Sequence, residues 1–270
     1  MLLELLDQHG TLTTGQITAI CFGAYSTADR RLRRLFRLGL LDRFRRYNPH
    51  TGNVTGWHWT IGVLGARLIA LSAGRPAPAR AAVTHRRDQL IASPRLEHLL
   101  GVNQTFVDLR AHARTHPGAQ LTRWWSERRT AEAFSHRIHP DGHGVWRAGG
   151  HTVGFFLEHD TGTETLRRLI DKLPAYTRLA QAGGPAWPVL FWLPTTTRAK
   201  HLHDALADQP PLPFAVAIAA RVPGRRRGLI VTGPDPAGCL WRVPGHRELL
   251  PLAQVPCPHQ LPGPLNPGLE

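Results

Sequence analysis

Val153-Gly154-Phe155-Phe156-Leu157-Glu158-His159-Asp160 passes from five apolar or small residues into two acids that flank a histidine. The first five are short, apolar and aromatic, and read as a buried strand. Strand side chains alternate, which puts Glu158 and Asp160 on one side of the sheet and His159 on the other. Upstream, His139-Pro140-Asp141-Gly142 is a turn that carries a third acid. If Asp141 ends the neighbouring strand, its carboxylate converges with the other two. Downstream, Leu166, Leu169, Ile170, Leu173, Tyr176 and Ala180 recur at helical spacing behind Thr161 or Thr163, and Gly183-Gly184-Pro185 stops the run. A turn with an acid, a strand ending in acids and a helix read together as part of an α/β (α+β) domain. For any single acid, a solvated loop side chain is the plainer reading. The ordered set is what points to a site, and carboxylates gathered at one sheet edge suit a hard cation such as Mg²⁺.

Lys172 falls at the edge of that helical stripe, one turn before Tyr176. A lysine there snorkels along the core and presents its ammonium near the strand end. Of the 33 lysines and arginines, only Lys172 and Lys200 are lysines.

These residues carry a resemblance. Pro140-Asp141-Gly142, Phe156-Leu157-Glu158-His159-Asp160-Thr161-Gly162-Thr163 and Lys172-Leu173-Pro174-Ala175-Tyr176 together resemble the core signature of the replication-relaxation family. Those are proteins of bacterial plasmids and mobile elements, associated with plasmid replication and DNA relaxation. The resemblance implies a winged helix joined to a domain of the PD-(D/E)XK nuclease type. It also implies Asp141, Glu158 and Asp160 as candidate Mg²⁺ ligands, Lys172 as a migrated catalytic lysine and Glu127 as an auxiliary acid. Arg128 and Arg129 beside Glu127 support an ordinary ion pair as readily. The nuclease pattern places a lysine two residues after the second acid, and here that position is Asp160.

The N-terminal part has its own logic. After short helices over 2–9 and 13–20, Ser26-Thr27-Ala28-Asp29 starts a third, with Ser26 as N-cap and Gly39 as its end. Leu32, Leu35 and Phe36 form its apolar stripe, and Arg30, Arg31, Arg33, Arg34 and Arg37 lie outside it. Residues 40–47 and 56–60 make a hairpin that carries Arg43, Arg45 and Arg46. Three helices and a hairpin are a winged helix-turn-helix, whose third helix enters the major groove. From Asp29 to Tyr47 there are eight arginines against two aspartates, so double-stranded DNA is the expected partner. A solvated basic face or a protein-docking module is the plainer alternative.

The expected domains are 1–73 (winged helix), 74–92 (a linker rich in Pro, Ala and Arg), 93–243 (nuclease-like) and 244–270 (a loosely held proline-rich tail). The net charge of +14 in 270 residues implies a polyanionic partner. No run of eighteen apolar residues occurs, so no membrane span is expected. Three scattered cysteines fit a reducing cytoplasm, and the resemblance implies association with nucleoid or plasmid. The resemblance implies other replication or mobilisation proteins as further partners, and oligomeric state has no signature.

Sixteen histidines form no zinc-finger or HExxH spacing. His139 and His143 flank Asp141, a place from which a histidine can assist a metal or a phosphate, and a surface residue is the plainer reading of each. There is no phosphate loop, no nucleophile elbow and no clear histidine triad of a tyrosine relaxase. Two functions follow: a metal-dependent DNA endonuclease using Asp141, Glu158 and Lys172, or a catalytically silent DNA-binding accessory of replication or transcription.

Overall fold

The computed structural model describes residues 1–48, 53–221 and 234–258. The chain divides into two compact units, 1–107 and 108–270.

The first unit begins with α1 (Leu2–His9), β1 (Leu12–Thr13), α2 (Thr14–Cys21) and α3 (Tyr25–Arg37). Thr13 caps α2 with a capping box: its hydroxyl accepts from the Gln16 N–H and the Gln16 side chain accepts from the Thr13 N–H. Helix α3 starts at Tyr25 with Ala24 as N-cap and no side-chain cap, not at the expected Ser26. It buries Ala28 and Leu32, while Leu35 and Phe36 are half-buried. Then come β2 (Leu41–Phe44), β3 (Tyr47–Asn48), β4 (Asn53–Val54), β5 (His58–Ile61) and α4 (Val63–Ser72). The three-stranded sheet runs β1-β5-β2, antiparallel throughout, and β3–β4 is a separate antiparallel ribbon. Trp59 of β5 is fully buried and its indole N–H donates to Thr14 at 2.9 Å.

Residues 74–92, expected to be a linker, contain helix α5 (Arg80–Ala92). Pro76 and Pro78 precede its first turn and so leave its hydrogen bonds intact. Helix α6 (Leu96–Thr115) follows. Its buried Asn103 donates to the His9 and Thr11 carbonyls, which holds the first half of α6 in this unit.

The second unit is α/β. It comprises β6 (Gln120–Ser126), α7 (Glu127–Ala133), β7 (Gly142–Ala148), β8 (His151–His159), α8 (Leu166–Ile170), α9 (Leu173–Gln181), β9 (Val189–Leu193), α10 (Thr196–Ala207) and β10 (Val216–Ala220). The mixed sheet has the order β10-β9-β8-β7-β6. Strands β6, β7 and β8 pair antiparallel, and β8, β9 and β10 pair parallel. The β7–β8 hairpin turns on Gly149 and Gly150, both with positive φ (56° and 81°), as a two-residue turn requires. Crossovers through α8–α9 and through α10 make the parallel pairs, and β9 is buried along its whole length. Gly154 in mid-strand has a local reason: a Cβ there would come within 2.8 Å of the Trp187 indole.

The helix expected from residue 163 to 183 is two helices. Thr165, not Thr161 or Thr163, caps the first, and Pro174 stands at the start of the second. Pro174 has no N–H for the Ile170 carbonyl, so a continuous helix is interrupted there. Cys239–Val243 reads as a short strand in sequence; in the structure it makes only bridges of Arg242 with Ile218 and Trp241 with Leu250. The start of the proline-rich tail is packed: Leu252 and Val255 are buried, in and beside a 3-10 turn at Leu252–Gln254. Arg225-Arg226-Arg227 reads as a basic turn in sequence and residues 228–232 as a short strand; both lie outside the described residues. Among the described residues, no helix is long and apolar enough to cross a membrane.

Candidate functional site

The register of the sheet decides which acids meet. Ser126 pairs with Gly142 and Gly142 with Leu157. Asp141 immediately precedes β7 instead of ending it, and because β7 and β8 are antiparallel, that start abuts the end of β8. The Asp141 carboxylate accepts the His159 backbone N–H at 2.7 Å, which ties it across to the neighbouring strand. Glu158 is 1% exposed and Asp141 8% exposed. Two carboxylates therefore sit side by side in a region from which water is largely excluded.

Both oxygens of Glu158 have protein donors. The Lys172 ammonium is 2.6 Å from one and the Tyr176 hydroxyl 2.5 Å from the other. The break before Pro174 makes this possible: Lys172 stands at the N-cap of α9 and Tyr176 follows one turn later. Burial and the negative charge of Asp141 push the Glu158 carboxyl up to about 7, against the lowering pull of Lys172 and Tyr176. Burial alone pulls the Lys172 ammonium down, but the charge and hydrogen bond of Glu158 leave it above the ordinary lysine value. Burial and Glu158 raise the Tyr176 phenol well above its usual range, so it remains a donor.

Asp160 does not join this pair. It lies on the same side of the sheet as Glu158, as alternation requires, but its carboxylate is taken by the Arg198 guanidinium from α10 and by the Gly162 N–H at 2.9 Å. Arg198 also donates to the Glu164 carbonyl at 2.5 Å. Arg221 donates to the Asp160 carbonyl at 2.6 Å and bonds the His159 ring at 2.8 Å. Glu127 is the first residue of α7, behind its N-cap Ser126, and is half-buried. His139 is exposed as expected, but His143 is not a surface residue. It is fully buried in β7, stacked on Trp187 at 4.6 Å, with Nδ1 2.8 Å from the Phe155 carbonyl. Burial holds it neutral, down at about 3.

Among the described residues, no three of His, Cys, Asp and Glu converge where a metal ion would sit. Asp160 is therefore a poor fit as a third Mg²⁺ ligand. Asp141 and Glu158 do fit as two oxygen donors, because a carboxylate oxygen that accepts one hydrogen bond keeps a second lone pair. Mg²⁺ commonly takes one or two carboxylates and completes its shell with water.

The raised Glu158 carboxyl has a thermodynamic consequence. Between about 4.5 and 7 the folded protein holds a proton there that the unfolded chain has released. This group's contribution to stability is fully present below 4.5 and is lost as pH rises through 7. Glu158→Gln cannot titrate. Unfolding free energies measured by urea titration from pH 5 to 8 should therefore shift in the variant's favour relative to wild type as pH rises, and level off above 7. A constant difference across that range would mean that Glu158 titrates normally.

In the first unit, Arg30, Arg31, Arg33, Arg34 and Arg37 are all exposed on α3, and Arg33 pairs with Asp29 at 2.9 Å. Arg43 lies over Trp57 at 3.8 Å and over Phe36 at 4.6 Å. Arg45 covers Trp57 at 4.0 Å, and Arg46 donates to the Ser93 carbonyl at 3.3 Å. Tyr176, Arg198 and Arg221 join the site without being among the site residues that the sequence motifs mark. Tyr176 had a usable signal, one turn from the scarce Lys172. Arg198 and Arg221 had none among so many arginines.

Fold and site together define an α/β protein with a buried acid pair, a lysine and a tyrosine where the central strand β8 ends beside the start of β7, preceded by a small unit with a heavily basic helix. The sequence profile of the family described as replication-relaxation matches residues 3–191, and the chain belongs to that family, and with it to the proteins of replication and relaxation. No characterised protein in the curated collection matches the chain.

Proposed function

We propose that the protein binds double-stranded DNA through its first unit, acting there as a winged helix-turn-helix. We propose further that its second unit is a nuclease-like domain with Asp141, Glu158 and Lys172 as its working residues and Mg²⁺ as its metal. The observation that supports the second part is the 2.6 Å contact between Lys172 and Glu158. It supplies the lysine that position 160 lacks. Asp141 and Glu158 would hold the metal, which when bound would lower the pKa of a water and stabilise charge on the scissile phosphate. Lys172 stays charged at neutral pH and would face the developing negative charge. Tyr176 holds the Glu158 carboxylate in one orientation. Asp160 keeps a structural place under Arg198.

One observation favours a second reading. Both Glu158 oxygens are bonded by the protein's own donors, so the domain is already self-satisfied. In that reading it is a silent scaffold and the protein a DNA-binding accessory of replication.

Both readings share the DNA interface, and that is tested separately. Reversing the charge of Arg33, Arg34 and Arg37 should weaken duplex binding by about 10-fold or more at moderate salt. It should also flatten the dependence of affinity on salt, since fewer counterions are released. Fluorescence anisotropy at several salt concentrations measures both. Unchanged affinity throughout would remove α3 from the interface.

A further inference from the structure

Beyond the arginines of α3, one surface of the first unit carries a different chemistry. Tyr47 and Val54 are direct cross-strand partners in the β3–β4 ribbon, so their side chains stand on one face of it. They are 65% and 57% exposed, an apolar pair in the open. Hydrogen bonds from Arg46 N–H to the Thr55 hydroxyl (2.9 Å) and from Thr55 N–H to the Arg46 carbonyl (2.8 Å) continue the ribbon toward its base. Arg43 sits between Phe36 and Trp57, and Arg45 covers Trp57. Two residues further on, the chain enters the ribbon at the exposed Tyr47. Guanidinium and aromatic groups thus follow one another along the chain from Arg43, against the Phe36 ring of α3, to Tyr47. No acid occurs between Asp42 and Asp88, so nothing on this stretch repels a polyanion.

We propose that this ribbon is a stacking platform for unpaired bases, and that the protein prefers DNA with a locally opened segment to fully paired duplex. The inference rests on the DNA-binding reading above and names the form of DNA. A paired duplex offers phosphates to the arginines but hides its base faces. Opened DNA offers both the charge that matches Arg43 and Arg45 and a flat apolar surface that matches Tyr47 and Val54. Base–aromatic stacking is tolerant of sequence, because every base has a π-face.

The test uses the full chain and two labelled DNAs of equal length, one fully paired and one with a central run of unpaired bases. Wild type should bind the opened DNA more tightly. Tyr47→Ala should lower affinity for opened DNA by about 10-fold, from loss of one stacked base, and leave paired-duplex affinity within about two-fold. Tyr47→Phe keeps the ring and should behave as wild type. Tyr47 is exposed, so a thermal melt of each variant should match wild type and exclude misfolding. Equal affinity of wild type for both DNAs, or an unchanged preference in Tyr47→Ala, overturns the platform while the α3 interface stands. Equal weakening on both DNAs by Tyr47→Ala also overturns it. No binding to either DNA would remove the platform and the DNA-binding reading together.

Discussion

Lys172→Met is expected to cut Mg²⁺-dependent DNA cleavage by a factor of about 10² or more, the usual cost of removing a charge-stabilising group from a reacting centre, with duplex affinity unchanged. The side chain is about one-third exposed, and methionine reproduces its aliphatic stem. The fold should tolerate the change for a specific reason. Glu158 already stands at about 7 with Lys172 present, and without that ammonium it moves higher. At neutral pH it then takes up a proton, stays bonded to Tyr176, and leaves no bare buried charge. This creates a second route to lost activity, since a protonated Glu158 is a poor metal ligand. The pH profile separates the two. If Glu158 protonation is the whole defect, cleavage recovers as pH rises toward 9. If the ammonium itself faces the transition state, the defect persists there. Cleavage in the variant equal to wild type at every pH would remove Lys172 from the mechanism.

The second large effect is on stability. Arg198→Ala should destabilise the protein by about 3 kcal/mol or more, the range seen when one partner of a buried ion pair is removed. Asp160 is 1% exposed as a side chain and Arg198 19%, so solvent screens the pair little. Arg198 also satisfies the Glu164 carbonyl, so its loss frees the loop between β8 and α8 as well. Urea unfolding checks the magnitude. Asp160→Asn in the Arg198→Ala background should recover part of the loss, because it removes the uncompensated charge while the Gly162 N–H keeps its acceptor. A loss within about 0.5 kcal/mol, the scale of an ordinary surface change, would mean that the Asp160–Arg198 pair does not hold this end of the sheet.

Strand β8 is legible in part: Val153–Leu157 reads as a strand from its length and its aromatic residues, and the structure extends it to His151–His159. Strand β7 gives no such signal, because Gly142, His143, Gly144 and Arg147 interrupt any apolar run. Alternation correctly set Glu158 and Asp160 on one face. It could not say which cations they meet, because Lys172 lies 14 residues from Glu158 and Arg198 lies 38 from Asp160. The position of Lys172 was read from a continuous helical stripe, which Pro174 in fact divides. The lysine still arrives at Glu158, through the N-cap of a second helix. Pro174 was in plain view and its missing N–H was the signal. His143 was misread because a histidine beside an acid suggests solvent, whereas here the sheet, Trp187 and the Phe155 carbonyl bury it neutral. The 74–92 stretch was read by composition. Its prolines cluster before Arg80, and the residues after them are good helix formers.

The central claim is that Asp141, Glu158 and Lys172 form a working metal-dependent site, and cleavage tests it most directly. Supercoiled, linear and branched DNA are incubated with the full chain and Mg²⁺ or Mn²⁺, alongside Glu158→Ala. The account predicts metal-dependent cleavage of at least one form by wild type and its loss by a factor of about 10² or more in Glu158→Ala. No cleavage of any form by wild type with either metal, or cleavage that survives Glu158→Ala, would contradict it.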